Sequence, residues 1–328
     1  MSFSVVGLGN ALMDALVLLD DDLLLEKEAL NKGIMHPVDH ARWMEVYKQF
    51  SPEKISLQTG GSCANTIAKL GLMGAKVSYC GHVGNDEFGT IYTKQLQDAC
   101  GHSALSFGTG ATGKCLSLIS PDAERTMLTD LGTSVELPDI KHFIPQIQAA
   151  DIFYSTGYLL LGDPMKSRLN EAIQAARSAK VPFAFDVADP FVVHATKKDM
   201  TQLIQDYADI IFLNEEEAKA MTGKESATDA INELKDICKT VVMKLGSKGS
   251  VVFSKGERIT VGVHRVNAID TTGAGDSFAA GFLYGWIHGW NLERSMRLAS
   301  RIAAETVSQL GAVVRDRSRL EKAIAEIV

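Results

Sequence analysis

Short runs of β-branched and aliphatic residues alternate along the chain with longer stretches of helical spacing, and this alternation constrains the fold more than any other feature. Residues 77–80, 151–154, 182–185, 210–213, 240–243 and 250–253 read as strands, and the N-terminal segment through Gly7 reads as the first strand. Between them the spacing predicts helices over 65–73, 164–178, 215–222 and 276–289. Strands that alternate with helices build a mostly parallel sheet covered on both faces. Ligands of such sheets bind beyond the carboxyl ends of the strands.

Two stretches break the rhythm. Residues 11–37 carry an aliphatic run and the triplet Asp20-Asp21-Asp22, while 103–133 reads as extended pieces joined by glycines. Both are expected to form one small accessory sheet, a lid over the ligand edge of a single α/β domain spanning 1–328. No internal repeat, low-complexity tract or Pro/Ser linker interrupts the chain.

Composition narrows the function. The 33 basic residues against 40 acidic ones leave a net charge of −7, and an acidic chain without a basic tract is poorly suited to a polyphosphate backbone. The expected partner is therefore a small molecule and not a nucleic acid. The five cysteines are dispersed with no CxxC pair, as in reduced, cytoplasmic proteins. No apolar run approaches the roughly 20 residues that span a bilayer, so no membrane is expected. The start of the chain lacks the basic residues and cleavage site of a signal peptide. The eight histidines form no HxH or HExxH pattern, so zinc has no support.

One phosphate-loop look-alike is excluded by its surroundings. Gly108-Thr109-Gly110-Ala111-Thr112-Gly113-Lys114-Cys115 nearly satisfies the P-loop pattern, but strand-like Leu116-Ser117-Leu118-Ile119 follows where a helix is required. Cys115 also stands where a hydroxyl must meet Mg²⁺, and a soft thiol is a poor ligand for that hard cation. The strongest signal is Asp270-Thr271-Thr272-Gly273-Ala274-Gly275-Asp276, which follows a strand-like segment at 266–269. It opens a helix whose Phe278, Ala279, Phe282, Leu283, Trp286 and Ile287 recur at helical spacing. Two glycines allow successive amides to converge, and a helix N-terminus adds positive potential, so the turn is a candidate anion hole. Asp276, where the helix begins, is placed to take a proton from an attacking hydroxyl.

This segment resembles the carboxyl-terminal signature of the PfkB, or ribokinase-like, carbohydrate kinases. Two further motifs of that family are matched in order, by Gly60-Gly61-Ser62-Cys63-Ala64-Asn65 and by Asn214-Glu215-Glu216-Glu217. The resemblance implies a three-layer α/β sandwich with a small β lid. It also implies ATP and Mg²⁺ as cofactors, with Glu217 holding waters of the ion and Asn214 beside it. Without the resemblance, Asn214 and Glu217 are simply a capping box.

Further matches point to the adenosine-kinase branch. Asn10, Leu12 and Asp14 resemble the opening turn in which an aspartate binds two ribose hydroxyls, with Gly60, Gly61 and Asn65 gripping the sugar. Arg125 resembles a lid arginine that reaches phosphate, and Phe191 an aromatic that encloses the purine, although by itself Phe191 reads as core. Lys244, Gly246 and Gly249 match the strand-to-turn segment over ATP, with Thr271, Gly273, Ala274 and Gly275 around its phosphates. Asp270 and Thr272 match a monovalent-cation site, which implies K⁺ dependence. The chain departs from that branch at 128–133, and at Asp186, where the branch carries asparagine; these departures bear on the acceptor. The resemblance thus implies a kinase acting on a primary hydroxyl of a ribose-containing substrate, adenosine before a free sugar or sugar acid, in a monomer or homodimer.

Overall fold

A computed structural model describes residues 3–102, 104–122 and 124–327. In chain order the strands among them are β1 (Val5–Leu8), β2 (Leu12–Leu18), β3 (Met35–Pro37), β4 (Ser56–Gly60), β5 (Val77–Cys80), β6 (His82–Gly84), β7 (Ser106–Gly108), β8 (Gly113–Ile119), β9 (Arg125–Asp130), β10 (Ile152–Thr156), β11 (Phe183–Asp186), β12 (Ile210–Asn214), β13 (Thr240–Lys244), β14 (Ser250–Ser254) and β15 (Glu257–Val261). Eight of them form one sheet in the order β15-β14-β13-β12-β11-β10-β1-β5. Its strands run parallel except for β14 and β15 at one end.

Successive side chains of these strands enter opposite layers. Val5, Tyr154, Phe212 and Val242 pack on one face with Ile67 and Phe282 of the helices Ser62–Leu72 and Ala274–Ile287. Val6, Phe153, Ile211 and Val241 pack on the other with Leu169 and Leu203 of the helices Met165–Ser178 and Pro190–Tyr207. Burial on both faces explains why the strands are continuous apolar runs without alternation. The sandwich therefore has the three layers expected. Because β1 lies between β5 and β10, the strand order reverses there, and the chain leaving β1 passes directly into β2.

The smaller sheet has the order β3-β9-β8-β2-β4. Both anomalous stretches contribute strands to it, although Ser103 and Ala123 lie outside the described residues. The sheet also contains β4, which the sequence did not reveal. Ser-Leu-Gln-Thr-Gly lacks an apolar alternation, and its strand conformation comes from antiparallel pairing with β2 at the edge. One face of this sheet is dry, with Ala15, Val17, Leu116, Leu118 and Leu128 packed on Trp43 of the helix His40–Tyr47. Alternation places Asp14, Cys115 and Thr129 on the opposite face. Phe107, from the second stretch, pairs elsewhere, in a two-stranded sheet of β6 and β7.

The strand-like segment at 266–269 is not a strand. After β15 the chain leaves the sheet edge, and with no neighbour to pair with, Val266 and Ile269 remain 40% and 56% exposed. The segment is tied instead by the Ile269 amide, which donates to the Val307 carbonyl at 2.7 Å. No helix among the described residues is long and apolar enough to cross a membrane.

Candidate active site

The glycine turn opens its helix two residues earlier than periodicity suggested. Gly273 caps the helix Ala274–Ile287 with φ of 66°, so Asp276 stands within the first turn. A side chain at Gly273 would meet the Ala312 backbone at 2.9 Å, so both conformation and space demand glycine there. The Ala274 amide is already committed to the Thr271 carbonyl at 3.2 Å. That leaves the Gly273, Gly275 and Asp276 amides without an acceptor among the described residues, so of the four amides expected to face an anion only Ala274 is already engaged.

Asp276 does not point into the packed interior. Its half-buried carboxylate accepts from Ser62 Oγ at 2.6 Å and from Asn65 Nδ2 at 2.9 Å, and Thr66 Oγ1 donates to its main-chain carbonyl at 3.2 Å. These partners share one face of the helix Ser62–Leu72. That helix begins at Ser62, ahead of the expected Asn65, because Gly61 caps it with φ of 90° and its carbonyl accepts the Asn65 amide at 2.9 Å. Three residues further along the same face lies Lys69, fully buried, whose Nζ donates to the Gly273 carbonyl at 3.0 Å and to Ser277 Oγ. Sequence reading overlooked Ser62, Thr66 and Lys69. The signal was present as polar residues recurring every three or four positions on a helix that is otherwise apolar.

Across the Gly60-Gly61 pair stands Asp14. The carboxylate lies where a Gly60 side chain would be, at 2.3 Å from an ideal Cβ, and the Asn10 carbonyl takes the corresponding place at Gly61. Gly61→Ala should therefore push apart the chain entering β2 and the helix bearing Asn65, lowering kcat/KM by at least ~10-fold in an ADP-release assay. Turnover unchanged from wild type would show that this close approach is not needed.

Burial pushes the Asp14 carboxyl up to about 7, against the pull of Arg125 and with repulsion from Asp276 and Asp270. No described residue donates a hydrogen bond to it. The side-chain oxygens Asn10 Oδ1 and Asn65 Oδ1 are likewise buried without a donor. All three residues touch the glycine pair, Asp14 through its carboxylate at Gly60, and Asn10 and Asn65 through their main chains at Gly61. Leu12 opens β2 beside them, paired with Gly60 and Gly113.

Arg125, at the start of β9, brings its Nη1 within 4.0 Å of Asp270, and that nitrogen is buried without a hydrogen-bond acceptor. Asp270 is itself well satisfied. Its Oδ1 accepts from the Thr272 amide at 2.9 Å and from Thr272 Oγ1, and its Oδ2 from the Gly311 amide at 2.9 Å.

A second cluster forms at the carboxyl ends of β11, β12 and β13. Asn214 and Glu217 make the capping box: Glu217 Oε2 accepts the Asn214 amide at 2.8 Å, and Asn214 Oδ1 accepts the Glu217 amide at 2.8 Å. Burial pushes Glu217 up to about 7, opposed by Lys244 and reinforced by Asp186. Lys244 Nζ lies 3.2 Å from Asp186 and packs on the turn, 3.1 Å from where a Gly275 side chain would begin. Burial alone would lower the lysine, but Asp186 and Glu217 outweigh it and hold it above its ordinary value. No group of three or more His, Cys, Asp or Glu among the described residues forms a metal cage. Glu217, buried with both oxygens accepting from Asn214, is a carboxylate of the kind that receives waters of an Mg²⁺ arriving with nucleotide phosphates.

Gly246 and Gly249 bound the short hairpin turn between β13 and β14, and Thr271 is exposed beside the glycine turn. Phe191 is not core. It is 61% exposed in the first turn of its helix, where Asp189 accepts its amide at 2.7 Å.

The chain is 31% identical to the adenosine kinase of Saccharomyces cerevisiae over 274 residues, covering 78% of this chain and 79% of that one. It is 27% identical to the probable fructokinase-4 of Arabidopsis thaliana over 271 residues, covering 77% and 83%. The crystal structure of adenosine kinase from Sinorhizobium meliloti superimposes over 100% of both chains with a TM-score of 0.90 at 31% identity. A probable sugar kinase from Rhizobium etli CFN 42 does so equally, with a TM-score of 0.90 at 28% identity. The fold is accordingly ribokinase-like. The pfkB family carbohydrate kinase model matches residues 35–317, a span that takes in the Gly60-Gly61 pair, the Asn214–Glu217 box and the Asp276 turn, and the chain belongs to that family of kinases.

Proposed function

We propose that this kinase transfers the γ-phosphoryl group of ATP to the 5′-hydroxyl of a purine nucleoside, adenosine or a near relative. The observation that carries the sugar half of this reading is the trio of acceptors lacking donors, Asp14, Asn10 Oδ1 and Asn65 Oδ1, gathered beside a carboxylate held by Ser62 and Asn65. Buried acceptors without donors are costly, and the hydroxyls of a sugar are donors that satisfy them. A ribose so held directs its 5′-hydroxyl toward Asp276.

Asp276 takes the hydroxyl proton as the oxygen attacks the γ-phosphorus. The new O–P bond forms as the bond from that phosphorus to the bridging oxygen breaks, and ADP leaves. The Gly273, Gly275 and Asp276 amides receive charge developing on the transferring oxygens, and each such preorganised donor is worth ~2.7–4 kcal/mol. Arg125 meets the phosphate from the smaller sheet, which acts as a lid excluding water as a competing acceptor. Bound with the nucleotide, Mg²⁺ supplies charge neutralisation for its phosphates, and Glu217 and Asn214 are the residues to orient its water shell. Lys244 and the Gly246–Gly249 turn lie along the nucleotide, and Phe191, exposed in the free protein, covers the base.

A free sugar or sugar acid, such as ribose, fructose or 2-keto-3-deoxygluconate, is the alternative acceptor. The likeness to a plant fructokinase favours it. A panel of these acceptors with ATP and Mg²⁺, followed by ADP release, decides between them. Turnover of adenosine at micromolar concentration is the expected result, and turnover confined to a free sugar would overturn the nucleoside reading. Run in potassium and tetramethylammonium buffers, the same panel tests the cation at Asp270 and Thr272, where equal rates would remove it.

A further inference from the structure

We propose that Lys69 is a positioning residue of the glycine turn at Gly273, its amine held beneath that turn so that it carries a positive charge when the phosphoryl group arrives. This rests on the kinase reading above. Lys69 side-chain atoms are entirely buried, yet no carboxylate of a described residue lies within ion-pair distance of its Nζ. An unpaired buried cation is expensive to keep.

Satisfying the backbone does not explain it. The Gly273 carbonyl already accepts from the Ser277 amide at 2.9 Å and from Ser277 Oγ at 2.6 Å, and Ser277 Oγ has a further partner in Thr306 Oγ1 at 2.7 Å. Every acceptor that Lys69 touches has another partner. What the lysine alone contributes there is charge. It sits on the same helical face as Ser62, Asn65 and Thr66, so one rigid element fixes the orientation of Asp276 and the cation under the turn together.

The one charged group that acts on the ammonium is Asp276, from the helix Ala274–Ile287, and the Ser277 hydroxyl that it meets is bonded in turn to Thr306 of the helix Leu292–Val307. Burial pulls Lys69 down to about 7, with Asp276 opposing. Its charge is therefore held below that pH and lost above it. An anion arriving at the turn favours the charged form, so nucleotide binding above neutrality should draw in a proton at this site.

The test is calorimetry of the full chain with Mg²⁺ and AMP-PNP, a non-transferable ATP analogue, plus acceptor at pH 8, in buffers of different ionisation enthalpy that count protons. It is paired with the pH profile of kcat. The wild type should take up protons and lose kcat as pH rises past about 7. Lys69→Met should take up fewer, with kcat lower by at least ~10-fold below pH 7 and no alkaline fall of its own. An unchanged proton count and kcat profile would overturn the proposal, as would a uniform loss of kcat with the alkaline fall still present.

Should Lys69→Met not fold, Ser277→Ala removes one of the two oxygens that receive the ammonium. The alkaline fall should then move to lower pH, and an unmoved fall overturns the proposal. A wild type that neither binds AMP-PNP nor releases ADP overturns the kinase reading and this inference with it. Normal binding and turnover unaffected by Lys69→Met overturns this inference alone.

Discussion

Asp276→Asn should lower kcat by about 10²–10⁴-fold, the usual contribution of a general base, while the KM values for ATP and acceptor stay within about threefold. Asparagine occupies the same volume, and its carbonyl can still accept from Asn65 Nδ2 while its amide donates to Ser62 Oγ. Thr66 bonds the main-chain carbonyl, which the substitution leaves alone. The helix start loses a favourable first-turn carboxylate, worth about 0.3–1 kcal/mol, so the fold should persist in a circular-dichroism melt. Only the proton acceptor disappears. Steady-state ADP release gives the result directly, and near wild-type turnover would mean that another group takes the proton.

Asp14→Asn should raise the acceptor KM by about 10²-fold or more, with the KM for ATP little changed. A carboxylate accepts two hydroxyls in charge-assisted bonds worth ~1.5–3 kcal/mol each, whereas an amide keeps one acceptor and turns the other into a donor. The same change should stabilise the free protein. The Asp14 carboxyl goes from 3.8 in the unfolded chain to about 7 in the fold, so between those values the folded state holds a proton that the unfolded state has released. Wild-type stability therefore falls as pH rises from about 4 to about 7 and stays low above it. The variant escapes that loss. Its Tm should exceed the wild type's at pH 7–8 and converge with it near pH 4, and wild-type acceptor affinity should improve as pH rises through about 7. A Tm difference independent of pH would show that Asp14 carries no burial penalty.

Much of this architecture was legible because it follows from local rules. Continuous apolar runs at 152–156, 183–186 and 210–214 can only be strands covered on two faces, and the glycines before Phe278 can only open a buried helix. Asn214 and Glu217 satisfy each other within a single turn. The misses have equally physical causes. β4 has no apolar period of its own, residues 266–269 have the composition of a strand but no neighbour, and Phe191 is apolar yet lies outside every core.

The order of apolar runs and turn residues by itself determined the fold class, the glycine turn and the carboxylate in it, because each is written in residues a few positions apart. Only the tertiary structure decided what that carboxylate faces. Ser62 and Asp276 are 214 positions apart, and they meet because two helices pack side by side on one face of the sheet. Lys69, an ordinary surface-type residue on paper, becomes a buried cation for the same reason. A charge is set by what surrounds it, and those neighbours are chosen by packing over distances that no local pattern spans.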